Sequence, residues 1–310
     1  MTSSILVFCL FCIYAPMHGN FMSSYLKKFR EKTPSEAFEQ ERIQLGDPVG
    51  PSDFAGALIF FLDGKYGGPF CASSLISIDS ALTAAHCFLP ELASSRVKLY
   101  VVFGLSDLRE PSLIANANNP NVNIIAFDYP SDVLLHESYV GDGDWFQHDI
   151  AIIKLRRPVE TRSVKPVKLA KNKYLKGIYA VGWGRKNCTH ASVETLRRAK
   201  AQVTTNEQCS SVWMGARSGV PIYDSQMCAY FATANQQRAA VSAGDSGGPL
   251  FKAGPGEKIQ IGVLSHVLYY IWNYYELGWR CTNPSFPQIF TRVSSYEMWI
   301  KDRVPQAEFV

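Results

Sequence analysis

The sequence lacks an apolar run long enough to cross a bilayer. The run Ile5-Leu6-Val7-Phe8-Cys9-Leu10-Phe11-Cys12-Ile13-Tyr14-Ala15 stops at eleven residues, where a spanning helix needs about twenty. It lacks a stripe of one charge as well: 31 Lys and Arg stand against 27 Asp and Glu, a formal charge of +4 with no dense basic cluster, which removes nucleic acid as a partner. No segment repeats at the period of about 20–50 residues that marks solenoids and propellers. The 22 Gly and 17 Pro are too few for a collagen or linker class. The six His are scattered, and no acidic cluster has calcium-loop spacing, so neither a metal nor a cofactor is expected. With 47% apolar and 19% charged residues over 310 positions, the chain is globular and has ample core.

What is present divides the chain in three. The early apolar run, followed by Pro16 and Gly19, reads as a signal peptide over residues 1–19, cut after Ala15 or Gly19, and the protein is expected to be secreted. Residues 20–42 are polar and charged, without alternation or Cys, and read as a propeptide. Residues 43–310 form the domain. Short β-rich runs alternate there with turn residues at 57–62, 97–103, 150–153, 178–181, 261–264 and 289–293. Only Ser294–Arg303 looks like a capped helix, so the class is all-β with a C-terminal helix.

Once Cys9 and Cys12 leave with the signal, six cysteines remain: Cys71, Cys87, Cys188, Cys209, Cys228 and Cys281. In an oxidising compartment they read as three disulfides, in any of fifteen connectivities. Asn187-Cys188-Thr189 is an N-glycosylation sequon, which adds Asn187 as a candidate modification site.

Three segments carry chemistry: Leu82-Thr83-Ala84-Ala85-His86-Cys87, His148-Asp149-Ile150-Ala151 and Gly244-Asp245-Ser246-Gly247-Gly248-Pro249. A Ser hydroxyl is a poor nucleophile at neutral pH unless a neutral imidazole takes its proton. The imidazole in turn needs a carboxylate to fix its tautomer. The third segment also fits G-x-S-x-G, the nucleophile elbow of α/β-hydrolases. That reading fails on Pro249, which stands where an elbow needs a helix, and on the order His, Asp, Ser.

Together these segments resemble the trypsin/chymotrypsin family of serine proteases, whose hallmarks are TAAHC, DIAL-like and GDSGGP segments. Phe70–Ile76, Val181–Gly184, Gln226–Ala229 and Pro287–Val293 resemble further family segments in the same order. The resemblance implies two six-stranded antiparallel β-barrels with the site between them. It implies Ser246 as nucleophile, His86 as general acid/base, Asp149 as its orienting carboxylate, and the N–H groups of Gly244 and Ser246 as oxyanion hole. Ser265 matches the family serine near the buried Asp. Activation would follow a cut at Arg42-Ile43, the new Ile43 amino group pairing with Asp245, although Ile43-Gln44-Leu45-Gly46 departs from the family's IVGG.

The resemblance pairs Cys71 with Cys87 and Cys209 with Cys228. Ser242 replaces the usual Cys before the oxyanion segment, which leaves Cys188 for Cys281. Ala240 stands where trypsin has its pocket Asp, and Val267 and Gln288 stand at wall positions that are Gly in trypsin. The expected preference is therefore for small or medium apolar residues, with Gln288 adding polar character or blocking the pocket. The implied partners are a polypeptide substrate, a tryptic activating protease and a protein inhibitor, with no membrane and a monomeric state. The rival reading is a proteolytically silent homologue of the same fold that binds or regulates. An insertion, Leu268–Tyr275, carries five aromatics in eight residues and reads as an added strand or an aromatic lip.

Overall fold

The structure is a computed structural model that describes residues 46–141, 146–160, 163–184, 195–216, 221–254, 256–267, 269–272, 279–282 and 284–310. After β1 (Asp47–Pro48) comes a seven-stranded antiparallel sheet made of β2 (Ala55–Leu62), β3 (Lys65–Ser77), β4 (Ser80–Thr83), β5 (Val97–Phe103), β6 (Asn123–Phe127), β7 (Val133–Leu135) and β8 (Ala151–Lys154). Its order is β6-β5-β2-β3-β4-β8-β7. Register shifts at Leu58/Ile59, Phe60/Phe61 and Leu75/Ser77 add local twist and curl the sheet, which stays open among the described residues.

A second sheet follows with β9 (Lys168–Leu169), β10 (Ile178–Gly182), β11 (Arg197–Thr204), β12 (Gln226–Ala232), β13 (Arg238–Ala239), β14 (Pro249–Gly254) and β15 (Glu257–His266). A hairpin, β16 (Tyr269–Trp272) with β17 (Trp279–Thr282), separates these from β18 (Gln288–Arg292). The order β11-β10-β14-β15-β18-β12 returns to β11, so six strands close into a barrel, with β1, β9 and β13 attached. The architecture is the chymotrypsin-like one that the resemblance implies, seen as one closed six-stranded barrel and one curled half-barrel sheet. Part of the aromatic insertion forms β16; Asn273–Tyr275 and Leu268 lie outside the described residues.

Side-chain alternation explains the barrel wall. In β11, Ala199 and Ala201 are buried while Arg198 and Lys200 face solvent, the period of two that a half-buried strand imposes. The barrel core includes Ile178, Met227, Ala229, Val241, Leu264, Val267 and Phe290.

Three α-helices are present among the described residues, not one: α1 (Glu110–Ala115), α2 (Asn206–Ala216) and α3 (Glu297–Arg303). Among its described side chains, helix α2 buries Cys209 and Trp213, four residues apart, almost completely. The C-terminal segment opens as a 3-10 turn, Val293–Tyr296, and α3 starts from Tyr296 without a side-chain cap, where a capped helix over Ser294–Arg303 is expected. None of these helices is long and apolar enough to cross a membrane.

Candidate active site

His86 sits in a short 3-10 turn, Ala85–Cys87, at the end of β4, held by the disulfide Cys71–Cys87 to β3. Asp149 lies just before β8, and β4 pairs with β8 from Thr83↔Ala151 onward, which brings the two residues together from far apart in sequence. The Asp149 carboxylate is fully buried and fully engaged. His86 Nδ1 lies 2.7 Å from Oδ2, the His86 backbone N–H donates to Oδ1 at 2.9 Å, and Ser265 Oγ donates to Oδ2 at 2.5 Å. Thr291 Oγ1 donates to the Asp149 backbone carbonyl at 2.7 Å. A buried carboxylate survives on such partners, and the one at Nδ1 leaves Nε2 free to exchange a proton with the cleft.

Ser246 occupies the turn that leads into β14. Its carbonyl accepts from Ala72 N–H at 2.7 Å, while Gly247 N–H donates to Leu264 O and Leu264 N–H to Gly248 O, both at 2.9 Å. The serine is thereby clamped between β3 and β15. Gly247 has φ +77°, and a Cβ there would collide with Thr83 Oγ1 and Ala72 O, so only glycine fits. Gly244, at φ +98°, turns the backbone just before the serine. The turn's hydrogen bonds use the N–H groups of Ser242, Asp245, Gly247 and Gly248 and, among the described residues, leave those of Gly244 and Ser246 unspent.

Asp245 is 2% exposed. Its Oδ1 accepts from Gly184 N–H at 2.6 Å and its Oδ2 from Ser242 N–H at 2.7 Å. The carboxylate lies against Gly182 and Gly184, where any Cβ would overlap it, which is the physical reason for glycine on both sides of Trp183. Burial pushes its pKa up to about 7, against the lowering effect of the two backbone donors.

Four specificity candidates are placed as follows. Ala240 is buried just after β13, Val267 is buried just after β15, Gln288 is buried at the start of β18, and Ser265 bonds Asp149. Cys209–Cys228 is formed and pins α2 to β12. Arg42, Ile43, Asn187 and Cys188, and the side chain of Cys281, lie outside the described residues. The Cys71 and Cys87 sulfurs approach a His86 ring nitrogen within 4.8 Å, but both sulfurs are consumed in a disulfide and cannot hold a metal.

Three contributors carry no signal that the sequence reading used. Phe146, with φ +56°, stacks on His266 at 4.6 Å and meets His86 edge-on at 6.2 Å. Thr291 lies inside a recognised segment without an assigned role. Behind Asp149, His148 stacks on His136 at 4.7 Å, and its Nδ1 lies 3.2 Å from Tyr296 Oη.

A family model described as Trypsin matches residues 52–300. Clotting factor G beta subunit of Tachypleus tridentatus is 29% identical over 246 residues, covering 75% of this chain and 70% of that protein. Fibrinolytic enzyme, isozyme C, of Lumbricus rubellus is 29% identical over 239 residues, 75% of this chain and 87% of its own length. Trypsin-1 of Astacus astacus is 26% identical over 235 residues, 75% and 86% respectively. With the family model covering most of the chain and the fold agreeing with it, the chain belongs to the trypsin family of serine proteases.

Proposed function

We propose that the chain is a secreted serine endopeptidase working through Ser246, His86 and Asp149. The observation that carries this reading is the completed Asp149 site, with imidazole, backbone N–H and hydroxyl on one buried carboxylate. His86 Nε2 takes the Ser246 proton as Oγ attacks the scissile carbonyl, and the resulting oxyanion is received by the N–H groups of Gly244 and Ser246. Collapse of that intermediate breaks the C–N bond, the imidazolium returns its proton to the leaving amine, and an acyl group remains on Ser246. Water then repeats the sequence with His86 as base and frees the acid. Asp149 keeps the imidazole in the Nδ1–H tautomer and balances the imidazolium charge.

Activation is assigned to a cut at Arg42-Ile43 by a protease specific for basic residues. Gly46 packs directly on Arg198 O in β11, and its own carbonyl accepts from Arg197 at 2.8 Å. β11 pairs with β10, and Gly182 of β10 lies against the Asp245 carboxylate. That is two strand spacings, roughly 10 Å, and three extended residues from Gly46 back to Ile43 span about the same distance. An α-ammonium arriving there would offset the cost of ionised Asp245.

Ala240 at the pocket base and Val267 and Gln288 on its walls support a short, uncharged pocket and a preference for small or medium apolar residues, with Gln288 adding polar character or blocking the pocket. Cys188–Cys281 and a glycan at Asn187 belong to the same proposal. The test is hydrolysis of a denatured protein by the chain cut at Arg42. Fragments that disappear with Ser246→Ala support the endopeptidase; an intact substrate supports the silent binding homologue.

A further inference from the structure

Asp149 is the middle residue of a three-residue turn, closed by Ile150 N–H donating to His148 O at 2.8 Å. His136, just beyond β7, touches both ends of that turn. Its backbone N–H donates to Ile150 O at 3.1 Å, and its ring stacks on His148 at 4.7 Å with the planes 14° apart. His148 has φ +56°, a conformation that a non-glycine residue keeps only where its surroundings hold it. Its ring is stacked on His136 and met edge-on by Tyr296 at 5.9 Å, whose hydroxyl lies 3.2 Å from Nδ1.

The C-terminal segment backs the pair. Tyr296 meets the His136 ring edge-on at 5.3 Å, and Trp299 of α3 lies 5.2 Å from it. Glu137 accepts from Trp299 Nε1 at 2.9 Å and pairs with Arg303, whose guanidinium stands 4.6 Å over the Trp299 ring. The charged and titratable groups around the two rings are thus Glu137, Arg303, Tyr296 and Asp149 itself. Burial pushes the Tyr296 hydroxyl up, so it stays neutral while the histidines titrate.

His136 is built to be neutral. Ser138 N–H donates to its Nδ1 at 3.2 Å, so the ring carries its proton on Nε2, and a second proton on Nδ1 would face a donor. The turn that Tyr139 N–H closes on His136 O at 2.9 Å must then open. Burial, then His148, push the His136 pKa down; Glu137 opposes them and Arg303 assists. Both rings are only partly buried, so solvent protons reach them.

We propose that the His136–His148 stack positions Asp149 for catalysis and releases it when His136 takes a proton, so that acid disables the site through a second proton besides the one on His86. This rests on the endopeptidase reading above and deepens it: the two histidines are positioning residues that act through Asp149. Loss of the stack frees His148 from its held conformation and turns the Asp149 carboxylate relative to His86, and a misplacement of about 1 Å can cost roughly a hundredfold in rate.

The test uses the chain cut at Arg42 and titrated with a fluorophosphonate, so that rates are expressed per reactive Ser246. The quantity followed is kcat/KM from pH 8 down through the acid limb. One proton, on His86, allows a fall of about tenfold per pH unit, and two allow up to about a hundredfold. The wild-type chain is expected to exceed about tenfold per unit, and His136→Phe, which keeps a ring and drops the proton, to fall by no more than that. His136→Ala, which removes the stack, should lower kcat at pH 8 by about tenfold with KM unchanged, and His136→Phe should keep more of kcat than His136→Ala does. A one-proton acid limb in the wild-type chain overturns the inference, as does a steeper limb that persists in His136→Phe or an undiminished kcat in His136→Ala. Each of these leaves the endopeptidase reading standing, whereas no titration refutes that reading and this inference with it.

Discussion

Asp149 and Asp245 are both buried aspartates within the reach of Ser246's neighbourhood, at 0% and 2% exposure, yet their surroundings differ in kind. Asp149 faces groups that respond to charge: an imidazole, a hydroxyl and a backbone N–H. Asp245 faces two backbone N–H groups, and burial leaves its pKa at about 7. The first carboxylate is finished in the intact chain. The second is held in place by a glycine cradle but is short of a full positive charge among the described residues. One fold thus holds a fully hydrogen-bonded carboxylate beside one that lacks a cationic partner among the described residues, and we assign completion of the latter to the cut at Arg42.

The strongest way to break the comparison is at Asp149. Asp149→Asn should leave the fold intact and lower kcat by about 10^4-fold, the usual result of presenting the wrong imidazole tautomer in such triads. Steady-state hydrolysis alongside circular dichroism checks it. An effect below tenfold would detach Asp149 from the chemistry.

Next comes the pH response of Asp245. Its folded pKa lies above the ordinary 3.8, so the folded chain holds a proton that the unfolded chain releases between about pH 4 and 7. The stability it contributes is therefore present below pH 4 and declines as pH rises towards 7, by on the order of 4 kcal/mol. The difference in unfolding free energy between the intact wild-type chain and Asp245→Asn should follow that decline, and cleavage at Arg42 should abolish it. A pH-independent difference before the cut would contradict the account.

Thr291→Val should cost about 1–3 kcal/mol of stability by leaving the Asp149 carbonyl without its donor, measured by denaturant unfolding. The smallest effect is expected at His136. Burial, then the neighbouring His148, lower its pKa, with Glu137 opposing and Arg303 assisting. The folded chain resists a proton that the unfolded chain accepts near pH 6.5, so stability falls as pH drops below that value. His136→Phe should flatten the slope of Tm against pH in that range.

How much of this is legible in sequence varies with how locally it is encoded. Val97–Phe103 is a dense apolar and β-branched run, and the strand has those bounds. β11 is hidden because its inward positions are alanines between Arg198 and Lys200, so the alternation carries little hydrophobic contrast. Helix α2 is hidden because, among its described side chains, only Cys209 and Trp213 are buried, too few to register as a periodic stripe. In the site, His86, Asp149 and Ser246 stand in dense local motifs, and Ser265 and Asp245 follow from them. Phe146 has no such mark. Its stacking on His266 comes from the tertiary approach of a turn to the end of β15, which no local pattern encodes.

The most direct test of the central claim is fluorophosphonate labelling of the intact and the Arg42-cut chain, with the adduct located by mass spectrometry. The account predicts stoichiometric labelling of Ser246 after the cut and little before it. Equal labelling in both states would contradict the role given to Asp245, and no labelling in either would contradict the triad.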